Sequence, residues 1–138
     1  EWGIDPGRIG MLGFSAGAIT TLGTVQAEDG APRPDFIGYI YGPMTATTVP
    51  ETAPPMFVAL AADDALFGQQ GFGLVEAWQS AGKPVELHFY DSGGHGFGSY
   101  RRGNPADGWF DQFLRWMDGR GLREAEADQE PVSRRYRD

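Results

Sequence analysis

Short apolar runs and amphipathic stretches alternate along this chain, and their periods predict its elements. Residues 8–14, "RIGMLGF", are mostly apolar, as in a short strand buried on both faces. Residues 16–26 read as a helix with Ile19, Leu22 and Val25 as its apolar stripe. Residues 36–41, "FIGYIY", and 56–61, "MFVALA", read as two further strands. The segment 42–55 between them carries four prolines and reads as a loop. Residues 72–81 suit a helix with Phe72, Leu74, Val75 and Trp78 inward; Gly82 ends it and Pro84 prevents its continuation. In the fourth strand, 85–90, Val85, Leu87 and Phe89 share one face, while Glu86, His88 and Tyr90 share the other. Asn104-Pro105 then signals an N-cap, and Trp109, Phe110, Phe113, Leu114, Trp116 and Met117 mark a last helix to about residue 118.

Apolar strands separated by helices predict an α/β domain: a parallel four-strand sheet with flanking helices. The expected division is 1–118 for the folded domain and 119–138 for a charged tail poor in large apolar residues. Residues 1–3 read as the end of an upstream helix, with Gly3 in the left-handed position, and Asp5-Pro6-Gly7 as a turn in which Asp5 and Arg8 cooperate. The chain opens on Glu1, and its organisation suggests a piece of a longer protein.

Composition narrows the chemistry. The formal net charge of −8 opposes binding to phosphate backbones, so nucleic acid is not an expected partner. No apolar run approaches the length of a membrane span. With no cysteine, disulfides, thiolate metal sites and a cysteine nucleophile are excluded. His88 and His95 are the only histidines, so a zinc site of His ligands is not expected; carboxylates could bind a hard cation, but no residues are assigned to a metal.

The candidate chemistry begins at "GFSAG", residues 13–17. Gly-x-Ser-x-Gly alone is weak evidence, but here it joins the end of an apolar strand to the start of a helix, the setting of a nucleophile elbow. The turn is sharp, and Gly13 and Gly17 are expected to remove side chains that would strike neighbouring backbone. Ser15 would then stand clear of the sheet edge, and the N–H of Ala16 would face a developing oxyanion. A serine needs a base. His95 follows the fourth strand on the loop "DSGGHGFGSY", at the carboxyl edge where Ser15 stands, whereas His88 lies inside that strand and is expected to pack. Asp63 and Asp64 follow the third strand at the same edge, and either could hold the base. The chain order Ser, Asp, His is that of one serine-hydrolase fold among several.

Three stretches together carry a resemblance: "DPGRIGMLGFSAG", the strand followed by "AADDALF", and "GGHGFG" before a tryptophan-bearing helix. In these the chain resembles the C-terminal half of an α/β hydrolase, in the branch of acetyl-xylan-esterase-like and dienelactone-hydrolase-related serine esterases. The resemblance covers about residues 1–118. It implies Ser15 as nucleophile, Asp64 rather than Asp63 as acid, His95 as base, no cofactor, and a small-molecule or glycan ester as substrate. It is compatible with a secreted or periplasmic protein but fixes no compartment. Two departures stand out. Ala18 and Ile19 replace a Gly and a His that often follow the elbow, which puts helix packing in question. No glycine-rich loop precedes the elbow to supply the second oxyanion donor, whose loss costs roughly a hundredfold to a thousandfold in turnover.

If the preceding strands of such a sheet are absent, residues 8–14 become an exposed apolar edge that invites self-association. Tyr41, Phe67 and Phe97, near strand ends, are candidates to contact substrate. Arg101 and Arg102 read mainly as solvated surface. Other readings are a prolyl-oligopeptidase-type peptidase, a non-catalytic binding module of the same fold, and an inert fragment.

Overall fold

The structure, a computed structural model, describes residues 2–28 and 30–123. Four apolar runs form strands β1 (Gly10–Phe14), β2 (Phe36–Ile40), β3 (Met56–Ala61) and β4 (Val85–Tyr90). Three helices separate or follow them: α1 (Ala16–Val25), α2 (Gly73–Ser80) and α3 (Trp109–Gly119), the last entered through a 3₁₀ turn at Pro105–Gly108. Asn104 caps that turn as its sequence predicts, its side chain accepting from the Ala106 N–H at 3.1 Å.

All pairings are parallel, in the order β1-β2-β3-β4, with Met11 beside Ile37, Gly38 beside Phe57 and Ala59 beside His88. The two inner strands are buried at every position. This is why they read as continuous apolar runs with no period of two. Residues 42–55 contain no helix, as their prolines require.

The helices cover both faces. On one, α1 lies against β1 and β2, and Phe72 at the start of α2 meets Phe89 edge-on at 5.0 Å. On the other, Phe113 and Trp116 of α3 pack on Phe57, at 5.1 and 5.8 Å between ring centroids. Trp78 of α2 is fully buried, and its indole N–H donates to the Pro54 carbonyl at 2.9 Å, so its one polar atom is satisfied. Burying a side chain such as Phe57, Ile40 or Leu74 contributes about 1.5–3 kcal/mol relative to exposure.

The structure departs from the sequence reading in several places. In α1 the buried residues are Ala18, Thr21 and Val25, while Ile19 is 53% exposed. The helix crosses β1 too closely for a large side chain: Thr21 Oγ1 and the Gly17 carbonyl sit over Gly13. Ala18 faces Gly42, where a Cβ would stand 2.7 Å from the Ala18 methyl, so that position takes only a small side chain. Strand β1 begins at Gly10 rather than at residue 8. It is one of the two sheet edges among the described residues, β4 being the other, with Ile9 49%, Leu12 37% and Phe14 37% exposed. Gly3 has φ +62°, but residues 2–4 are not helical. Helix α3 runs through Gly119, and Leu122 packs against the core. Residues 124–138, the rest of the expected tail, lie outside the described residues.

Candidate active site

Each strand of the sheet delivers a residue to one carboxyl edge. Ser15 follows β1, Tyr41 follows β2, Asp63 and Asp64 lie just beyond β3, and His95 is carried on the loop after β4. Open parallel sheets place their ligand-facing residues at this edge because the strand ends and helix starts converge there.

Ser15 occupies the N-cap of α1 with φ 53° and ψ −115°. A non-glycine residue held there stores on the order of 1–3 kcal/mol of strain. A serine at this position ordinarily caps its helix with its hydroxyl. Here the side chain makes no cap hydrogen bond, and Oγ instead lies 2.8 Å from His95 Nε2. Ala16 opens the helix, so its N–H has no intrahelical acceptor. Of the two glycines in the motif, only Gly13 is sterically required. A Cβ there would lie 2.2 Å from the Gly17 carbonyl oxygen and 2.3 Å from Thr21 Oγ1, whereas a Cβ on Gly17 would meet nothing within 4 Å. The expectation of a collision at both positions is corrected to one.

His95 Nδ1 lies 2.8 Å from Asp64 Oδ2. The other carboxylate oxygen of Asp64 accepts from the N–H groups of Leu66 at 2.8 Å and Phe67 at 3.1 Å. Asp64 is 1% exposed, so those backbone donors and the imidazole replace its lost water. An ionised carboxylate only accepts. Against an ionised Asp64, His95 would carry its proton on Nδ1 and leave the Nε2 lone pair for the Ser15 hydroxyl. Aromatic edges flank the imidazole on two sides, Tyr41 at 5.0 Å and Phe67 at 5.5 Å.

His88 takes no part. It hydrogen-bonds Glu86 at 2.9 Å and packs on Phe57 at 5.2 Å between centroids, the packing role expected of it. Phe97 does not line an open site either. It is 2% exposed, and its ring lies between those of Tyr41 and Tyr90, so its expected substrate contact is replaced by a core role. Tyr41 is also largely buried. It sits at φ 38°, and burial raises its phenol above the ordinary value while the Gly98 N–H pulls the other way. Its ring borders a cavity of about 580 Å³ that Leu12, Phe14, Trp109 and Phe110 also line, with Arg101 contributing to the lining. Phe67 is the one of the three aromatics that is half-buried beside His95. Arg102 is exposed and lies over the Tyr100 ring at 5.2 Å. Asp5 serves its turn as expected, accepting from Gly7 N–H at 2.8 Å and from Arg8 Nε at 2.7 Å.

One arrangement was not visible in the sequence. Asp63, adjacent to Asp64, accepts from the backbone N–H groups of Gly93 at 3.0 Å and Gly94 at 2.7 Å. The doublet of acids was its only signal.

No protein-family profile matches this sequence, and no curated protein matches it at a significant level. Solved structures do. An α/β-hydrolase enzyme from a Medee basin deep-sea metagenome library is 29% identical with a TM-score of 0.70, the match covering 84% of this chain and 55% of that one. An acetyl ester-xyloside bifunctional hydrolase from Caldicellulosiruptor lactoaceticus is 23% identical with a TM-score of 0.73, covering 88% and 60%. A carboxylesterase from Lactobacillus plantarum is 21% identical with a TM-score of 0.72, covering 89% and 62%. The chain shares the fold of these α/β hydrolases and spans 55–62% of the length of these solved structures.

Proposed function

We propose that this chain carries the catalytic triad of a serine hydrolase that cleaves carboxylic esters, with acetyl groups on plant polysaccharide sugars as its first candidate substrates. The observation that carries the reading is the hydrogen-bonded line Ser15 Oγ–His95–Asp64, with 2.8 Å at each step.

In the proposed reaction Ser15 Oγ attacks the ester carbonyl carbon as His95 Nε2 takes the hydroxyl proton. Asp64 holds the imidazole in the required tautomer and stabilises the imidazolium. The Ala16 N–H, at the positive end of α1, stabilises the oxyanion. The tetrahedral adduct then collapses: the bond to the alcohol oxygen breaks, and that oxygen receives the proton from His95. Water, deprotonated by the same nitrogen, attacks the acyl-enzyme and releases the acid. No step calls on a cofactor.

The test is labelling by a fluorophosphonate probe, together with hydrolysis of p-nitrophenyl acetate. The parent chain is expected to label and Ser15→Ala not to label. A folded parent that neither labels nor turns over would refute the reading in favour of a binding module or an inert fragment. Cleavage of peptide amides in preference to esters would point to the peptidase.

A further inference from the structure

We infer that Asp63 is the positioning residue for the base: its carboxylate anchors the backbone of the loop that carries His95. The inference rests on the reading of His95 as the base, and it gives each acid of the Asp63-Asp64 doublet a separate task.

Beyond His95 the loop is held by the buried Phe97 ring and by the Trp109 indole N–H, which donates to the Gly98 carbonyl at 2.6 Å; on the β4 side of His95 the polar anchor is Asp63. His95 lies five positions beyond the end of β4, and positions 93, 94, 96 and 98 are all glycine with positive φ. Glycine loses more backbone freedom on ordering than any other residue, so such a segment is spread over many conformations unless specific contacts select one. At Gly93 and Gly94 two successive N–H groups converge on a single atom, Asp63 Oδ1. Successive amides of this kind form a concave anion-binding nest, and here a carboxylate of the same chain fills it. Gly94, in the left-handed region at φ 67°, is the residue immediately before His95. The Gly93 Cα is also close-packed, since a Cβ there would stand 2.6 Å from the Ala106 Cβ. Before His95 the loop is thus held by a carboxylate and packed against a methyl group.

The two acids leave β3 together and address the same loop at different points. Asp64 holds the imidazole ring at 2.8 Å, and Asp63 holds the backbone one and two residues before it. Fixing the ring alone leaves its Cα free to drift, and a misplacement of 1 Å in a catalytic constellation costs about a hundredfold in rate. Asp63 does not touch the reacting atoms. Its effect reaches them through the position of the His95 backbone, and what it needs is an acceptor oxygen. Asn retains that oxygen, and Ala removes it.

The test compares Asp63→Asn and Asp63→Ala with the parent by proton NMR of the His95 Nδ1–H bridge to Asp64 and by the rate of fluorophosphonate labelling. The parent and Asp63→Asn are expected to show one sharp downfield bridge proton and similar labelling rates. Asp63→Ala is expected to broaden or lose that proton and to label about a hundredfold more slowly, with its melting temperature close to the parent's. An Asp63→Ala variant that keeps both the proton and the rate overturns the inference. So does an Asp63→Asn variant as impaired as Asp63→Ala, which would assign the effect to charge. So does global unfolding of Asp63→Ala with an intact Asp63→Asn, which would make the residue structural. If the parent fails to label while the bridge proton responds as described, the positioning stands and the serine-hydrolase reading falls.

Discussion

Adding one methyl group to each glycine of the elbow is expected to have opposite effects. In Gly13→Ala the new Cβ falls 2.2 Å from the Gly17 carbonyl oxygen, 2.5 Å from its carbon and 2.3 Å from Thr21 Oγ1. Two of these atoms are backbone, and the third is tied to that backbone by the hydrogen bond from Thr21 Oγ1 to the Gly17 carbonyl at 2.9 Å. No rotamer change relieves the contact. The first turn of α1 must lift off β1 by about 1 Å to reach ordinary van der Waals separation. Overpacking of this kind costs about 1–3 kcal/mol, and the rigid partners place Gly13→Ala at the upper end. Gly17 lies in α1 with open space around its missing side chain, so Gly17→Ala gains about 0.5–1 kcal/mol from helix propensity. At about 4 °C per kcal/mol for a domain of this size, Gly13→Ala lowers the melting temperature by about 8–12 °C and Gly17→Ala raises it by about 2–4 °C. Thermal melts followed by far-ultraviolet circular dichroism, with urea titrations to compare m-values, measure both. The lifted helix also carries Ser15 away from His95, so Gly13→Ala should slow probe labelling below its melting point. Equal destabilisation by the two variants, or a neutral Gly13→Ala, would refute the steric assignment.

Asp64→Asn presents an amide N–H to His95 Nδ1 and drives the proton onto Nε2, so the probe-labelling rate should fall by about ten-thousandfold with the fold intact; a loss of only a few-fold would remove Asp64 from the triad. Burial raises the phenols of Tyr39 and Tyr90 to about 12, from an ordinary value near 10. Their stabilisation is complete below pH 10 and is lost as pH rises from 10 to 12, because the unfolded chain ionises first. The urea midpoint should fall across that window, less so in Tyr39→Phe; a midpoint flat to pH 12 would contradict the burial effect. Leu12 is 37% exposed on the edge strand, and the chain is expected to self-associate through that edge, so Leu12→Lys should lower the sedimentation coefficient at high concentration. A parent that sediments as a monomer at every concentration would contradict this.

What the sequence disclosed was whatever depends on period and order. Four apolar runs interrupted by Gly, Pro and amphipathic stretches specify the parallel sheet, because inner strands buried at every position leave no other reading. The convergence of Ser15, Asp64 and His95 follows from chain order, since each lies just past a strand of one parallel sheet. What it concealed depends on distances between elements. Ile19 reads as core and Ala18 as incidental until the close approach of Ala18 to Gly42 is known. Phe97 reads as a candidate substrate contact because it lies near a strand end, yet its ring packs between those of Tyr41 and Tyr90. Asp63 and Asp64 are interchangeable in composition and differ in what the fold brings to each: two loop amides to an exposed Asp63, the imidazole and the Leu66 and Phe67 amides to a buried Asp64.

The backbone around the site shows how the sheet sets these distances. Among the described residues Ser15 and Tyr41 are the two non-glycine residues at positive φ, and both stand at the carboxyl ends of adjacent strands. Strain of this order persists only where surrounding bonds over-determine it. They do so here by extending the sheet ladder one residue past each strand. The Ser15 N–H donates to the Ile40 carbonyl at 2.9 Å, and the Tyr41 N–H to the Ala59 carbonyl at 2.8 Å. The Ala62 N–H, after β3, donates to the Tyr90 carbonyl at 2.7 Å in the same way. Each chain therefore turns away from the sheet only after its neighbour has fixed it. The 2.8 Å separation of Ser15 Oγ and His95 Nε2 is inherited from strand register through these bonds, and the one long lever in the arrangement, the glycine loop after β4, is where a separate anchor is needed.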